Sequence, residues 1–358
     1  MWNHNRFTRL FDLALPLVQG PFGGGLSSVD LAATVSQAGG LGSFGAHHLS
    51  GDDILSTAAA IREQTDRPFA LNLWIPPHDP VDTASLERGR ALLAPFYDQL
   101  GLAMPDTPAE HYWPAYEEQI DAILEAAPAV FSFVYGIPSP AILQACRQRQ
   151  IRTLGAATTV AEAVALEQAG VDAIVATGFE AGGHRVSFLK RPEDSLQGGL
   201  ALIPAIRQAV SLPVIAAGGI ADGRGMAAAM LLGADAVQIG TAFLACEESN
   251  ASALHRRMLF SERGAETELT RAFTGRLARG IRNRFMEALR DQPDIPGYPL
   301  QTWLTRPLKQ AAAAQDDPET MALWAGQATP LLQHHQAHAL MESLINDCQK
   351  NLPARLLE

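Results

Sequence analysis

From Pro213 to Thr241 the chain reads PVIAAGGIADGRGMAAAMLLGADAVQIGT. An apolar run ends in Gly218-Gly219, Asp222 opens a helix-like stretch that Gly233 stops, and a second apolar run ends in Gln238-Ile239-Gly240-Thr241. Both runs are short and almost without polar residues, as expected of parallel strands covered on both faces. The same rhythm extends outward through Leu15 to Gln19, Leu41 to Phe44, Phe69 to Leu73, Val130 to Val134, Arg152 to Ala157 and Ala173 to Ala176. With Pro213 to Ala216 and Ala236 to Ile239 these make eight candidate strands, most followed by helix-like segments such as Ser28 to Ala38, Asp52 to Gln64 and Val160 to Ala169. Ser28 and Thr159 stand where helix N-caps belong, each with an acidic residue in the first turn, and Gly39, Gly170 and Gly233 mark helix ends. Eight strand-helix units by about residue 241 fit a (β/α)8 TIM barrel better than an open doubly wound sheet.

Two stretches interrupt the repeat. Between Trp74 and Glu117, about 75–117, lies a proline-dotted insertion beginning Ile75-Pro76-Pro77-His78-Asp79-Pro80, far longer than an ordinary βα loop and placed to act as a lid over the C-terminal face. The remainder, 242–358, carries an arginine-rich segment, a Gly297-Tyr298-Pro299 turn and helix-like runs around Ala311 to Ala314 and Leu331 to Ile345. It reads as a C-terminal helical extension covering the active face of a barrel formed by residues 1–241.

Composition bounds the function classes. Of 358 residues, 47% are apolar and 18% charged, enough for a large core and too ordered a mixture for whole-chain disorder. Lys plus Arg number 27 against 38 Asp plus Glu, and the net charge of −11 disfavours nucleic acid and anionic membrane as partners. The three cysteines, Cys146, Cys246 and Cys348, are too few and too far apart for a disulfide framework, and no apolar run approaches the roughly 18 residues that span a bilayer. The expected setting is cytoplasmic; oligomeric state is not legible.

In such a barrel chemistry sits where strands end. The first ends in Gln19-Gly20-Pro21-Phe22-Gly23-Gly24-Gly25, either a ligand-hugging loop or a mobile turn. The third carries Asn72 within an apolar run, an amide that must meet backbone or the polar edge of a ligand. The sixth runs into Thr177-Gly178-Phe179-Glu180-Ala181-Gly182-Gly183-His184. His184 there suits proton transfer at a carbon acid, or is a surface histidine in a flexible loop. The seventh and eighth end in Gly218-Gly219 and Gly240-Thr241, where backbone N–H groups and a hydroxyl can hold a phosphate. No Walker lysine or dinucleotide spacing accompanies them, which favours a mononucleotide or sugar phosphate.

Leu17-Val18-Gln19-Gly20-Pro21, Ala38-Gly39-Gly40-Leu41-Gly42-Ser43, Glu180-Ala181-Gly182-Gly183-His184, Ala217-Gly218-Gly219-Ile220 and Gln238-Ile239-Gly240-Thr241, in that order, resemble the nitronate monooxygenases, once called 2-nitropropane dioxygenases. The resemblance runs from about Pro16 to Thr241 and weakly into Gly275-Arg276 to Phe285. It implies a barrel holding FMN and oxidising alkyl nitronates, or neutral nitroalkanes, with O2 to carbonyl compounds and nitrite. It implies further that His184 is the base near the flavin. Gly182, Gly218, Gly219, Gly240 and Thr241 would line the phosphate, Asn72 and Gln238 would meet polar atoms of the cofactor, and Phe22-Gly23 would pack along its ring. Thr177 stands where family members often carry glutamine, and Phe22 where they often carry methionine, so the reach toward the flavin differs. Tyr135 and Tyr298 are candidates to close the substrate pocket.

Two other readings share these motifs. One is an NAD(P)H-dependent FMN reductase of the enoyl-acyl-carrier-protein or quinone type on the same scaffold; the other is a non-catalytic barrel that senses FMN or a phosphate. No metal site is expected. His334 and His338 have the i, i+4 spacing of a ligand pair but lack an accompanying Glu and read as a solvated helix face. The arginines at 271, 276, 279, 282 and 284 read as packing the tail onto the barrel through carboxylates.

Overall fold

The computed structural model describes residues 2–76, 83–106 and 112–353. Eight parallel strands lie at Leu17–Gln19, Gly42–Gly45, Phe69–Trp74, Val130–Val134, Arg152–Ala157, Ala173–Thr177, Val214–Ala217 and Ala236–Ile239. In that chain order they pair as 1-8-7-6-5-4-3-2, and a bridge between Val18 and Leu41 joins strands 1 and 2. The apolar runs are continuous because both faces are buried. Inward, Val18, Ala70, Val130, Leu154, Val175 and Ile215 share one core with Phe7 and Phe11 of the short helix Arg6–Phe11, which plugs that core. Outward, Leu17, Leu71, Phe131, Ile174 and Val237 meet the surrounding helices. This is the (β/α)8 barrel that the strand spacing predicts.

Helix ends follow the expected chemistry. The hydroxyls of Ser28 and Thr159 accept the N–H groups of Leu31 and Glu162, and Gly170 ends its helix in the left-handed region at φ +85°.

The insertion is more ordered than a loop. An 18-residue helix, Thr83–Leu100, packs against Leu300–Ala314 of the tail, and the Tyr97 hydroxyl donates to the Leu304 carbonyl at 2.6 Å. Leu86, Leu93, Phe273, Phe285, Trp303 and Leu308 form a separate core between them. Of the proline-dotted start, Pro77, His78, Asp79 and Pro80 lie outside the described residues.

Besides helices, the tail supplies two antiparallel strands, Thr267–Thr270 and Ala278–Ile281, and the second pairs with Gly183–His184. The wall of the barrel also runs past the expected boundary at residue 241. The helix Ala337–Asn351 packs against Val29–Gln37 and Gly223–Leu231, filling the place of the helix after strand 8. Its approach is close: a Cβ on Gly223 would lie 2.4 Å from the backbone nitrogen of Cys348.

Of the tail arginines, Arg271, Arg282 and Arg284 pair with Glu193, Glu266 and Glu319. Arg279 donates to the Phe179 carbonyl at 3.0 Å, and Arg276 turns toward the barrel mouth. His338 lies 3.8 Å from Glu342, and His335 packs on Phe260.

Candidate active site

A cavity of about 650 Å³ opens at the C-terminal ends of the strands, within the size range of small-molecule sites. The strand-end residues Phe22, Gly23, Asn72, Thr177, Gly182, Gly218, Gly219, Gln238, Gly240 and Thr241 all line it, as do His184 and Tyr298. Tyr135 does not: it stands behind Trp74, ring centroids 5.2 Å apart, beneath the guanidinium of Arg276.

The seventh-strand turn has the backbone that its glycines permit, φ +99° at Gly218 and +71° at Gly219, where a side chain would be strained. A Cβ added to Gly240 would meet only a Phe22 ring carbon, at 3.9 Å, so that floor is clear for a ligand. The Thr241 hydroxyl accepts the N–H of Gly326 at 2.9 Å, and Gly182 packs against the Ala325-Gly326 backbone, so the tail buttresses the turn region. Asn72 donates to the Ser132 hydroxyl at 2.9 Å, and the Thr177 hydroxyl leans toward the Val175 carbonyl at 3.5 Å.

His184 is not on a flexible loop, because its backbone pairs with Ala278. Its Nε2 lies 2.9 Å from the Thr274 hydroxyl. Trp74 presents an edge to the ring at 5.2 Å, and Trp324 flanks it at 5.3 Å. Burial, then the charges of Arg276 and Lys309, push its pKa down to about 3, so the imidazole is neutral at physiological pH. Lys309 is itself pushed down to about 8, chiefly by burial and then by Arg306. Arg276 stacks on two rings, 3.8 Å from the Tyr135 centroid and 4.4 Å from that of Tyr298.

Several lining residues lie outside the motifs. Thr302, Arg306, Lys309, Gln310 and Ala313 reach the cavity from one face of Leu300–Ala314, a spacing visible in the sequence without a clue to which face turns inward. His47 and His48 follow the second strand at the same end of the barrel and line the cavity too. His47 stacks on Trp74, centroids 3.9 Å apart and planes 2° apart. His47, Trp74, Trp113 and Tyr298 also border a neighbouring chamber of about 780 Å³.

The family model for nitronate monooxygenase matches residues 4–347. A probable nitronate monooxygenase of Staphylococcus aureus is 40% identical over 354 residues, covering 97% of this chain and 98% of that one. The chain belongs to the nitronate monooxygenase family. It is accordingly an enzyme, a flavin-dependent oxidoreductase. Among solved structures, nitroalkane oxidase from Streptomyces ansochromogenes matches with a TM-score of 0.89 and 38% identity, over 97% of this chain and 99% of that one. FabK from Thermotoga maritima matches with a TM-score of 0.76 and 26% identity, over 97% and 96%. No helix among the described residues is long and apolar enough to cross a membrane.

Proposed function

We propose that this family member binds FMN and oxidises alkyl nitronates, and neutral nitroalkanes after deprotonation, with O2 to carbonyl compounds and nitrite. The observation that carries the reading is a neutral, tail-braced His184 on the wall of the same cavity into which the glycine turns of strands 7 and 8 open. The turns fit a phosphate: Gly218, Gly219, Gly240 and Thr241 offer backbone N–H groups, and Gly182 borders them. Asn72 and Gln238 supply amides for the polar edge of the ring system, Thr177 a shorter contact, and Phe22-Gly23 an apolar wall. FMN, when bound, supplies the electron acceptor for the substrate.

The chain's own residues then bind, orient and handle a proton. The Thr274 hydroxyl lies 3.2 Å from the Arg276 carbonyl. With its proton directed there, its lone pair accepts from His184 Nε2–H, and Nδ1 is left basic to take the α-proton of a nitroalkane. Arg276, Arg306 and Lys309 make the cavity attractive to an anion such as a nitronate. An anion bound there also raises the pKa of His184, strengthening the base when substrate is present. Tyr298 narrows the substrate side, and Tyr135 backs Trp74 behind it. A cytoplasmic setting accords with three buried free thiols.

The likeness to FabK keeps an NAD(P)H-dependent reductase as the second reading. Purified protein is expected to show flavin absorbance, to take up oxygen and to release nitrite on addition of a nitronate. Rapid anaerobic bleaching by NADH, with no oxygen uptake on adding nitronate, would reverse the choice; a colourless protein that cannot be reconstituted with FMN would remove both.

A further inference from the structure

We propose that His47 is a second substrate-facing imidazole, a specificity-determining residue that hydrogen-bonds an oxygen of the nitro or nitronate group while His184 faces the α-carbon. The inference rests on the nitronate reading above but stands on its own observations.

His47 follows the second strand at the barrel mouth, is 6% exposed and lines the cavity. Neither ring nitrogen hydrogen-bonds to any described residue, and Nδ1 is wholly shielded. The ring cannot swing to find a partner. One face lies flat on Trp74, and the Gly23 loop presses on its edge, since a Cβ on Gly23 would come within 3.1 Å of both His47 Cε1 and the Trp74 ring. His255 shows the contrast: equally buried, it has Nε2 3.0 Å from the Trp324 carbonyl and is satisfied by the fold. A pinned imidazole without a protein partner is an uncommon feature, and with Nδ1 shut off it is Nε2, the nitrogen not shielded, that a ligand in the cavity can meet.

The chemistry of that ligand follows from the state of the ring. Burial, then the charges of His48, His184 and Arg276, hold the His47 pKa down at about 3, so the ring is a neutral donor and acceptor. A neutral N–H beside a cavity lined by Arg306 and Lys309 suits an oxyanion. Trp74 touches both His47 and His184, so one indole fixes the separation of the two imidazoles across the reacting group. His47 follows strand 2 and Trp74 ends strand 3, whereas the phosphate-fitting turns follow strands 7 and 8, which puts His47 on the substrate side.

The test uses flavin-loaded protein and two variants. His47→Phe keeps a ring on Trp74 and removes both nitrogens; His47→Gln restores a hydrogen-bonding group. Sodium nitrite, a planar oxyanion that mimics the nitro end of the substrate, is titrated by calorimetry, and nitronate kinetics are measured alongside. His47→Phe is expected to raise the nitrite Kd and the nitronate KM about tenfold, the size of one lost hydrogen bond to a charged group, with kcat within about twofold and an unchanged flavin spectrum. His47→Gln should recover most of the loss. Constants within about twofold of the parent overturn the proposal, as does loss of flavin from His47→Phe, which would put the ring on the cofactor. Weakened nitrite binding in a protein that never consumes nitronate would uphold the oxyanion contact and refute the reaction. Nitronate turnover with unchanged constants in His47→Phe would do the reverse.

Discussion

His184 Nε2 and the Thr274 hydroxyl lie 2.9 Å apart although 90 positions separate them in the chain. One end of the imidazole is thereby held by the tail and the other is free for substrate. Thr274→Val should lower kcat/KM for a neutral nitroalkane about tenfold, as expected when a base loses the group that orients it, and Thr274→Ser should restore it. His184→Asn should cost about 10²- to 10⁴-fold with the neutral nitroalkane. Preformed nitronates should be spared in all three variants, and nitrite release from the two substrate forms makes the comparison. Equal losses on both forms would remove the proton-abstraction role.

The two glycine turns are separable by substitution. At Gly218 the backbone is left-handed and an added Cβ would lie 3.1 Å from Ala181 N and Gly178 O, so Gly218→Ala both strains the turn, by about 1–2 kcal/mol, and deforms it. Its melting temperature and its flavin-to-protein absorbance ratio should fall together. Gly240→Ala adds a methyl to open space, so the ratio alone should fall. An unchanged ratio in both would place the phosphate elsewhere.

Arg276 fixes Tyr135 and Tyr298 through its position over both rings. Arg276→Met should raise the nitronate KM by about three- to tenfold, from two lost cation–π contacts and one lost positive charge. The same change lifts a downward pressure on the His184 pKa, so the acid limb of kcat/KM for nitroalkanes should move to higher pH. A limb that stays fixed would mean that this charge does not reach the base.

Acid should destabilise the fold in a definite window. His47 and His184 are held at about 3, and His255 at about 4, against 6.5 when unfolded, mainly by burial. Between those values the unfolded chain binds more protons than the folded one, so stability rises with pH across the window and is lost as pH falls from about 6.5 toward 4. Thermal melts at fixed ionic strength should show this decline; a flat profile from pH 7 to 4.5 would show that the histidines are not held neutral.

The strands were readable because each is buried on both faces, leaving a run such as Ala173–Thr177 with one residue that can hydrogen-bond through its side chain. The glycine turns and His184 follow from those strands by position. The helix Thr83–Leu100 was hidden because Pro95 lies inside it and prolines precede it, while its buried Leu86, Leu93 and Tyr97 face a tail more than 170 residues further on. The strand Ala278–Ile281 exists through pairing with Gly183–His184, a long-range contact without local signature. Lys309 and Trp324 reach the cavity by the same docking, which no periodicity discloses. His47 is legible in the sequence by the same position that marks His184, just past the end of a buried strand.

The helix Ala337–Asn351, seated between Val29–Gln37 and Gly223–Leu231, changes what kind of object covers the site. Residues between strand 8 and that helix are tethered to the barrel at both ends, so in topological terms the cover is one very long βα loop. It cannot drift off as a hinged domain would, and the brace on His184 is inherited from the integrity of the wall. Cutting the chain before Ala337 would remove a stave of the barrel, exposing the groove beside Gly223, and the loss of activity would register as a loss of fold.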